Sequence, residues 1–161
     1  MCYNINKKNG NERTSPTITG AGDIIMNLEF KPEVLSKEYI VEHGTYFDGD
    51  IICWSGEFGD QICSNKGVPF TGLLYELYQN SSLAYYSFYE NGVKNGIFLE
   101  FYPSGKPKSY GVFNRGLLVG RSYEWYENGM LKKLKDHYKN DYHYMFIEYD
   151  ENGNITRKGD V

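Results

Sequence analysis

Along residues 72–161 apolar and polar side chains alternate with a period of two, and the alternation itself recurs every 24 residues. Glu76, Glu100, Glu124 and Glu148 hold one place in four successive units. Around them stand Tyr75-Glu76-Leu77-Tyr78, Leu99-Glu100-Phe101-Tyr102, Tyr123-Glu124-Trp125-Tyr126 and Ile147-Glu148-Tyr149-Asp150. Gly72, Gly96 and Gly120 precede the first three units at equal spacing, with Tyr144 in that place in the fourth. Ser81, Gly105, Gly129 and Gly153 follow each unit, and Gly92 and Gly116 recur as well, with Asn140 at the third such place. Alternation at period two is the mark of a half-buried strand. Asn-Gly pairs such as 91–92, 128–129 and 152–153 mark tight turns, because both residues accept positive φ. Each unit therefore divides into two strands and two turns, with strands predicted over 96–102, 107–113, 121–126 and 131–138. The expected fold is all-β: an antiparallel meander of about ten strands, built from repeated hairpins that stabilise one another by stacking.

The same alternation assigns the faces. Tyr75, Leu77, Leu99, Phe101, Tyr123, Trp125, Ile147 and Tyr149 share the face expected to be the core. The four glutamates share the other, with Tyr78, Tyr102 and Tyr126 beside them. Equivalent positions two strands apart lie roughly 9.6 Å from one another. That is close to a Debye length in physiological salt, so repulsion along the glutamate row is tolerable.

Before Gly72 the pattern weakens. Residues 41–71 read as a degenerate unit with an insertion, and 29–40 as a terminal cap with a short helix. Residues 1–28, rich in Asn, Thr, Gly and Lys, read as a flexible arm. The chain is thus expected to hold one repeat domain over 29–161, with four clear units in 72–161.

Composition agrees with strands. Of 161 residues, 17% are aromatic, 16 are Tyr and 18 are Gly. A formal net charge of −4 and a pI near 5.4 argue against nucleic acid and against an anionic membrane as partner. The charge is uneven: residues 29–66 hold eight acids and three bases, while 67–161 hold eleven of each. An acidic region of this kind would suit a basic protein partner. Cys2, Cys53 and Cys63 lack the spacing of a zinc site. Their odd number, with no apolar leader-like core, points to reduced thiols in a cytoplasm.

Catalytic chemistry is not expected. Two ladder glutamates would stand near the carboxylate separation of an inverting glycosidase, ~6.5–9.5 Å, but repetition accounts for them and an open sheet encloses no substrate. His43, His137 and His143 show no ligand or dyad spacing. Lys132-Lys133-Leu134-Lys135 reads as a guarded strand with Lys133 and Lys135 on one face and Lys132 on the other. No cofactor or metal is expected.

These units resemble the bacterial variant of the MORN repeat found in the YwqK-like antitoxin and immunity family. The residues that carry the resemblance are 89–96, 101–106 and 125–131, with their aromatic pair, turn glycine and second aromatic. It implies an open antiparallel sheet and a non-enzymatic role in binding and masking a partner toxin. The residues expected to meet that partner are Glu42, Asp48, Asp50 and Glu57 of the acidic region, with Glu76, Tyr78, Glu100, Tyr102, Glu124 and Tyr126 of the sheet face. Alternatives are a MORN scaffold for other proteins or a membrane surface, and a small-molecule sponge. A free last strand would also allow a homo-oligomer through its edge.

Overall fold

A computed structural model of the chain describes residues 30–47, 51–56, 59–64, 66–140 and 143–161. All of these residues except Phe30 fall in the unit Lys31–Val161. Helix α1 is Lys37–His43, and the first strands are β1 (Thr45–Tyr46), β2 (Ile51–Gly56) and β3 (Gly59–Ser64). Then follow β4 (Gly72–Leu77), β5 (Leu83–Glu90), β6 (Val93–Phe101), β7 (Pro107–Asn114) and β8 (Leu117–Trp125). The last three are β9 (Leu131–Asn140), β10 (His143–Tyr149) and β11 (Ile155–Asp160).

From β4 to β11 each strand pairs antiparallel with the next, so the predicted meander is present. One difference lies at its start. β1 joins the edge of β4 in parallel, Thr45 opposite Leu74, and makes the sheet nine-stranded and mixed. A parallel pair needs a crossover of a dozen residues or more, and the segment between β1 and β4 supplies it. Within that crossover β2 and β3 form a separate two-stranded hairpin. Residues 41–71 therefore do not add a further rung to the meander.

The expected core face is buried. Leu99 is fully buried, and Tyr75, Phe101, Tyr123, Trp125, Ile147 and Tyr149 are nearly so. At the β4–β6 end this face is closed by α1. Ile40 packs with Leu73, Tyr75, Tyr86, Leu99 and Phe101, and Leu35 packs against the same cluster. The Tyr86 hydroxyl accepts the Leu35 backbone N–H at 3.2 Å. Ser36 caps α1 by accepting the Tyr39 N–H. Gly44 ends it, because a Cβ there would stand 2.6 Å from the Ile40 carbonyl and 2.9 Å from the Tyr75 ring. On the opposite face Ile62 and Phe70 pack with Leu74 and Tyr89, so the first two meander strands are clamped from both sides.

Two irregularities repeat with the sequence period. At the end of each even strand one residue of the following strand is skipped: Glu124 faces Lys133 while Trp125 faces Leu131. Ala84, Lys108, Lys132 and Thr156 are the four skipped residues. Such bulges turn an extra side chain toward a face it would otherwise leave. The second irregularity uses Gly96 and Gly120, which hold φ of 121° and 67° within β6 and β8. L side chains rarely adopt these angles, which explains that glycine column.

Candidate functional site

The face opposite the core carries one unbroken cross-strand row. Its order is Glu76, Tyr85, Glu100, Ser109, Glu124, Lys133, Glu148, Arg157. Each position is two strands and 24 residues from its equivalent, so one column is all glutamate and the interleaved column runs Tyr, Ser, Lys, Arg. The bulges add Lys108 and Lys132 beside it.

The glutamates differ in how they are compensated. Glu100 accepts from Lys108 Nζ at 2.8 Å and from Ser109 Oγ at 2.9 Å. This hydrogen bond holds the Lys108 ammonium above its ordinary pKa. Glu148 accepts from Lys133 Nζ at 2.7 Å and has Arg157 Nη1 at 3.8 Å. The Lys133 hydrogen bond is the main cause that lowers the Glu148 pKa. Glu124 sits between Ser109 and Lys133 in register, yet both of those polar groups are directed to the glutamate beyond. Lys132, the equivalent of Lys108, lies over the Tyr126 ring at 5.5 Å.

The tyrosines beside the row bind the units together. Tyr78 Oη donates to the Phe101 carbonyl, Tyr102 Oη to that of Trp125 and Tyr126 Oη to that of Tyr149, at 2.8, 2.8 and 2.9 Å. Each hydroxyl thus reaches 23 residues forward into the next unit. Burial raises the Tyr102 pKa, with Lys108 opposing. In the fourth unit Asp150 replaces the tyrosine and turns back on its own loop, accepting from the Asn152 and Asn154 N–H groups. The Asn154 side-chain amide, which donates to Asp150 Oδ2 at 3.0 Å, and then these backbone bonds keep its carboxyl below the ordinary range.

Aromatic side chains on the same face carry cations. Lys94 Nζ lies 4.2 Å from the Phe98 centroid and 5.1 Å from that of Phe113. Arg157 and Lys133 stack on Phe146, and Lys135 on Tyr144. Two depressions interrupt the surface. One of ≈ 140 Å³ lies over Gly111, between Phe98, Phe113 and Leu118 on one side and Glu124 and Lys135 on the other. The second, of ≈ 370 Å³, is lined by Glu124, Tyr126, Lys132, Lys133 and Glu148.

Of the residues predicted to meet a partner, Glu76, Glu100 and Glu124 share the row and Tyr78, Tyr102 and Tyr126 stand beside it. Glu42 is apart from them, exposed on α1, 3.9 Å from His43 Nδ1. Asp48, Asp50 and Glu57 lie outside the described residues. Sequence reading missed Ser109 and Arg157, whose column has no common residue type, and Lys108, which a bulge brings beside the row, and it set Lys132 on the face opposite Lys133. The bulge places Lys132 beside Lys133 in the same depression.

A family model described as the MORN repeat variant matches residues 94–115 and 118–140, which are β6–β7 and β8–β9. The chain is also 39% identical over 61 residues to Immunity protein YwqK of Bacillus subtilis (strain 168), a match that covers 35% of this chain. It spans 38% of that relative's length. No solved structure matches the chain. A 24-residue period, paired aromatics and turn glycines are thus joined to an independent match of two MORN-variant repeats over β6–β9, and part of the chain is similar to an immunity protein of that repeat type.

Proposed function

We propose that this chain is a non-enzymatic protein-binding module of the immunity type, which neutralises a partner toxin by covering its active surface. The observation that carries this reading is the similarity to a relative named Immunity protein. The geometry is compatible with it in two respects. The repeat match falls on the middle strands of an open face, where charged and aromatic side chains stand side by side. Such a face suits a broad protein contact more than an enclosed substrate. The acids on and around α1, Glu33, Glu38 and Glu42, are exposed and stand near exposed Val34, Tyr39 and Val41. They would steer a basic toxin by long-range attraction and hold it by apolar contact.

The test is a tagged pull-down from the native host, followed by co-expression with the stoichiometric partner. A partner that arrests growth alone and is harmless with this chain supports the reading. A partner whose toxicity is unaltered, or recovery of no protein partner, overturns it. Charge reversal at Glu42, Asp48, Asp50 and Glu57 together is expected to slow association at low salt, and an unchanged on-rate removes the electrostatic part.

A further inference from the structure

Glu124 has an unusual position on the ladder face. It is a half-buried carboxylate in the middle of the sheet, and each cation that its neighbours offer is committed elsewhere. Lys133 is on Glu148 at 2.7 Å, Lys132 on the Tyr126 ring at 5.5 Å and Lys135 on the Tyr144 ring at 5.2 Å. Glu100, two strands away, shows the compensated form of the same position. Glu124 also borders both depressions of this face. In the smaller one a glycine floor, Gly111, lies between Phe98, Phe113 and Leu118, and the far rim holds Glu124, Ser122 and Lys135, whose ammonium lies over the Tyr144 ring. That groove has ≈ 140 Å³. Sites that enclose a drug-sized ligand have about 300–1,000 Å³, so this groove takes one side chain.

We infer that the groove over Gly111 receives an arginine side chain of the protein partner. Its alkyl stem would lie against Phe98 and Leu118, and its guanidinium would pair with Glu124. Arginine fits better than lysine for two reasons. A planar guanidinium pairs with a carboxylate through two parallel hydrogen bonds, and it stacks on aromatic faces while losing less hydration than an ammonium. The face already holds a guanidinium in this manner, since Arg157 lies 4.9 Å over Phe146 with Nη1 toward Glu148. Arginine is also a frequent anchor of protein interfaces when its pocket is desolvated. The inference rests on the protein-binding reading above and names the chemistry of the contact.

The experiment is amide NMR of the isotope-labelled full chain, titrated with acetyl-Gly-Arg-Gly-amide and with its lysine and citrulline analogues. The expected result is that the Gly111, Ser122 and Glu124 amides shift with the arginine peptide. Citrulline should bind at least fivefold more weakly. Glu124→Gln should weaken arginine binding by at least fivefold, while Glu100→Gln, at a position already compensated, leaves it unchanged. Equal binding of arginine and citrulline overturns the inference. So do shifts spread evenly along all four glutamates, or a Glu124→Gln variant that is folded and binds like the parent. With a toxin in hand, unchanged affinity of Glu124→Gln for it overturns the groove as an anchor and leaves the immunity reading standing. Failure to find any toxin overturns that reading, and the peptide titration still decides the groove.

Discussion

Replacing Tyr102 with Phe removes one oxygen and keeps the ring. That oxygen donates to the Trp125 carbonyl at 2.8 Å from a half-buried position. The lost contribution is therefore a single net hydrogen bond, about 0.5–1.5 kcal/mol. For a unit of this size 1 kcal/mol corresponds to a fall of roughly 3–5 °C in Tm. Tyr149→Phe is the matched control. Its hydroxyl is equally an aromatic one, but it is buried with no hydrogen-bond partner among the described residues. Burial without a partner costs free energy, so removing that oxygen is expected to be neutral or stabilising by up to about 1 kcal/mol. The two substitutions delete the same atom and are expected to differ in sign. Urea unfolding followed by Trp fluorescence measures both, with the m-value checked for constancy. The triple variant Tyr78→Phe, Tyr102→Phe and Tyr126→Phe is expected to lose about 1.5–4.5 kcal/mol, since three such rungs join the units. If Tyr102→Phe stays within about 0.3 kcal/mol of the parent, or Tyr149→Phe costs as much as Tyr102→Phe, the hydroxyls are not what couples one unit to the next.

Three other outcomes are expected. Ser81 holds φ of 64° at the place where the other three units have Gly105, Gly129 and Gly153; Ser81→Gly is expected to raise stability by up to about 1 kcal/mol in thermal unfolding, and a loss would refute the strain argument. Leu99→Ala empties a fully buried position and is expected to cost about 2–5 kcal/mol, whereas Val68→Ala, largely exposed, changes stability by less than about 0.5 kcal/mol. Glu148 has its folded pKa below the ordinary 4.5, so its contribution to stability is present above that pH and is lost as pH falls through the folded value. Acid titration of unfolding free energy should therefore show a shallower decline for Glu148→Gln, and an identical slope would refute the Lys133 assignment.

The meander was legible because its repeats satisfy three requirements at once. The core positions need apolar residues at every second place, and Leu99, Phe101, Tyr123, Trp125, Ile147 and Tyr149 supply them. The turns need positive φ, and Gly105, Gly129 and Gly153 supply it. The column of Gly96 and Gly120 was visible as a repeat, while its cause, a left-handed backbone inside a strand, is a matter of register that composition does not carry. The N-terminal part was less legible for a related reason. Thr45-Tyr46 and Gly44 resemble a meander segment locally, but their partner is a parallel strand 29 residues away, Thr45 with Leu74. Pairing across a crossover leaves no local signature.

The candidate face was half legible, and the missing half is the informative one. The glutamate column declares itself because one residue type recurs. Its interleaved column, Tyr85, Ser109, Lys133 and Arg157, has the same 24-residue period with four different residue types, so only the pairing register reveals it. That difference has a physical consequence. A constant column can be held by the repeat alone, since each glutamate needs only a neighbour that tolerates charge. A variable column sets how each glutamate is compensated, from the Ser109 hydroxyl on Glu100 to the two cations around Glu148. Net charge along the row therefore changes from acidic at β4 to balanced at β10–β11, although the backbone is nearly the same at each step. A repeat can specify a partner in this way: the frame is kept, and recognition is written in the positions that the frame leaves free. On this argument a swap within the variable column, Ser109→Lys, should give Glu124 a competing counter-ion. Arginine-peptide binding would then fall while urea stability stays within about 0.5 kcal/mol of the parent. Unchanged binding in a folded Ser109→Lys chain would mean that the variable column serves stability and not recognition.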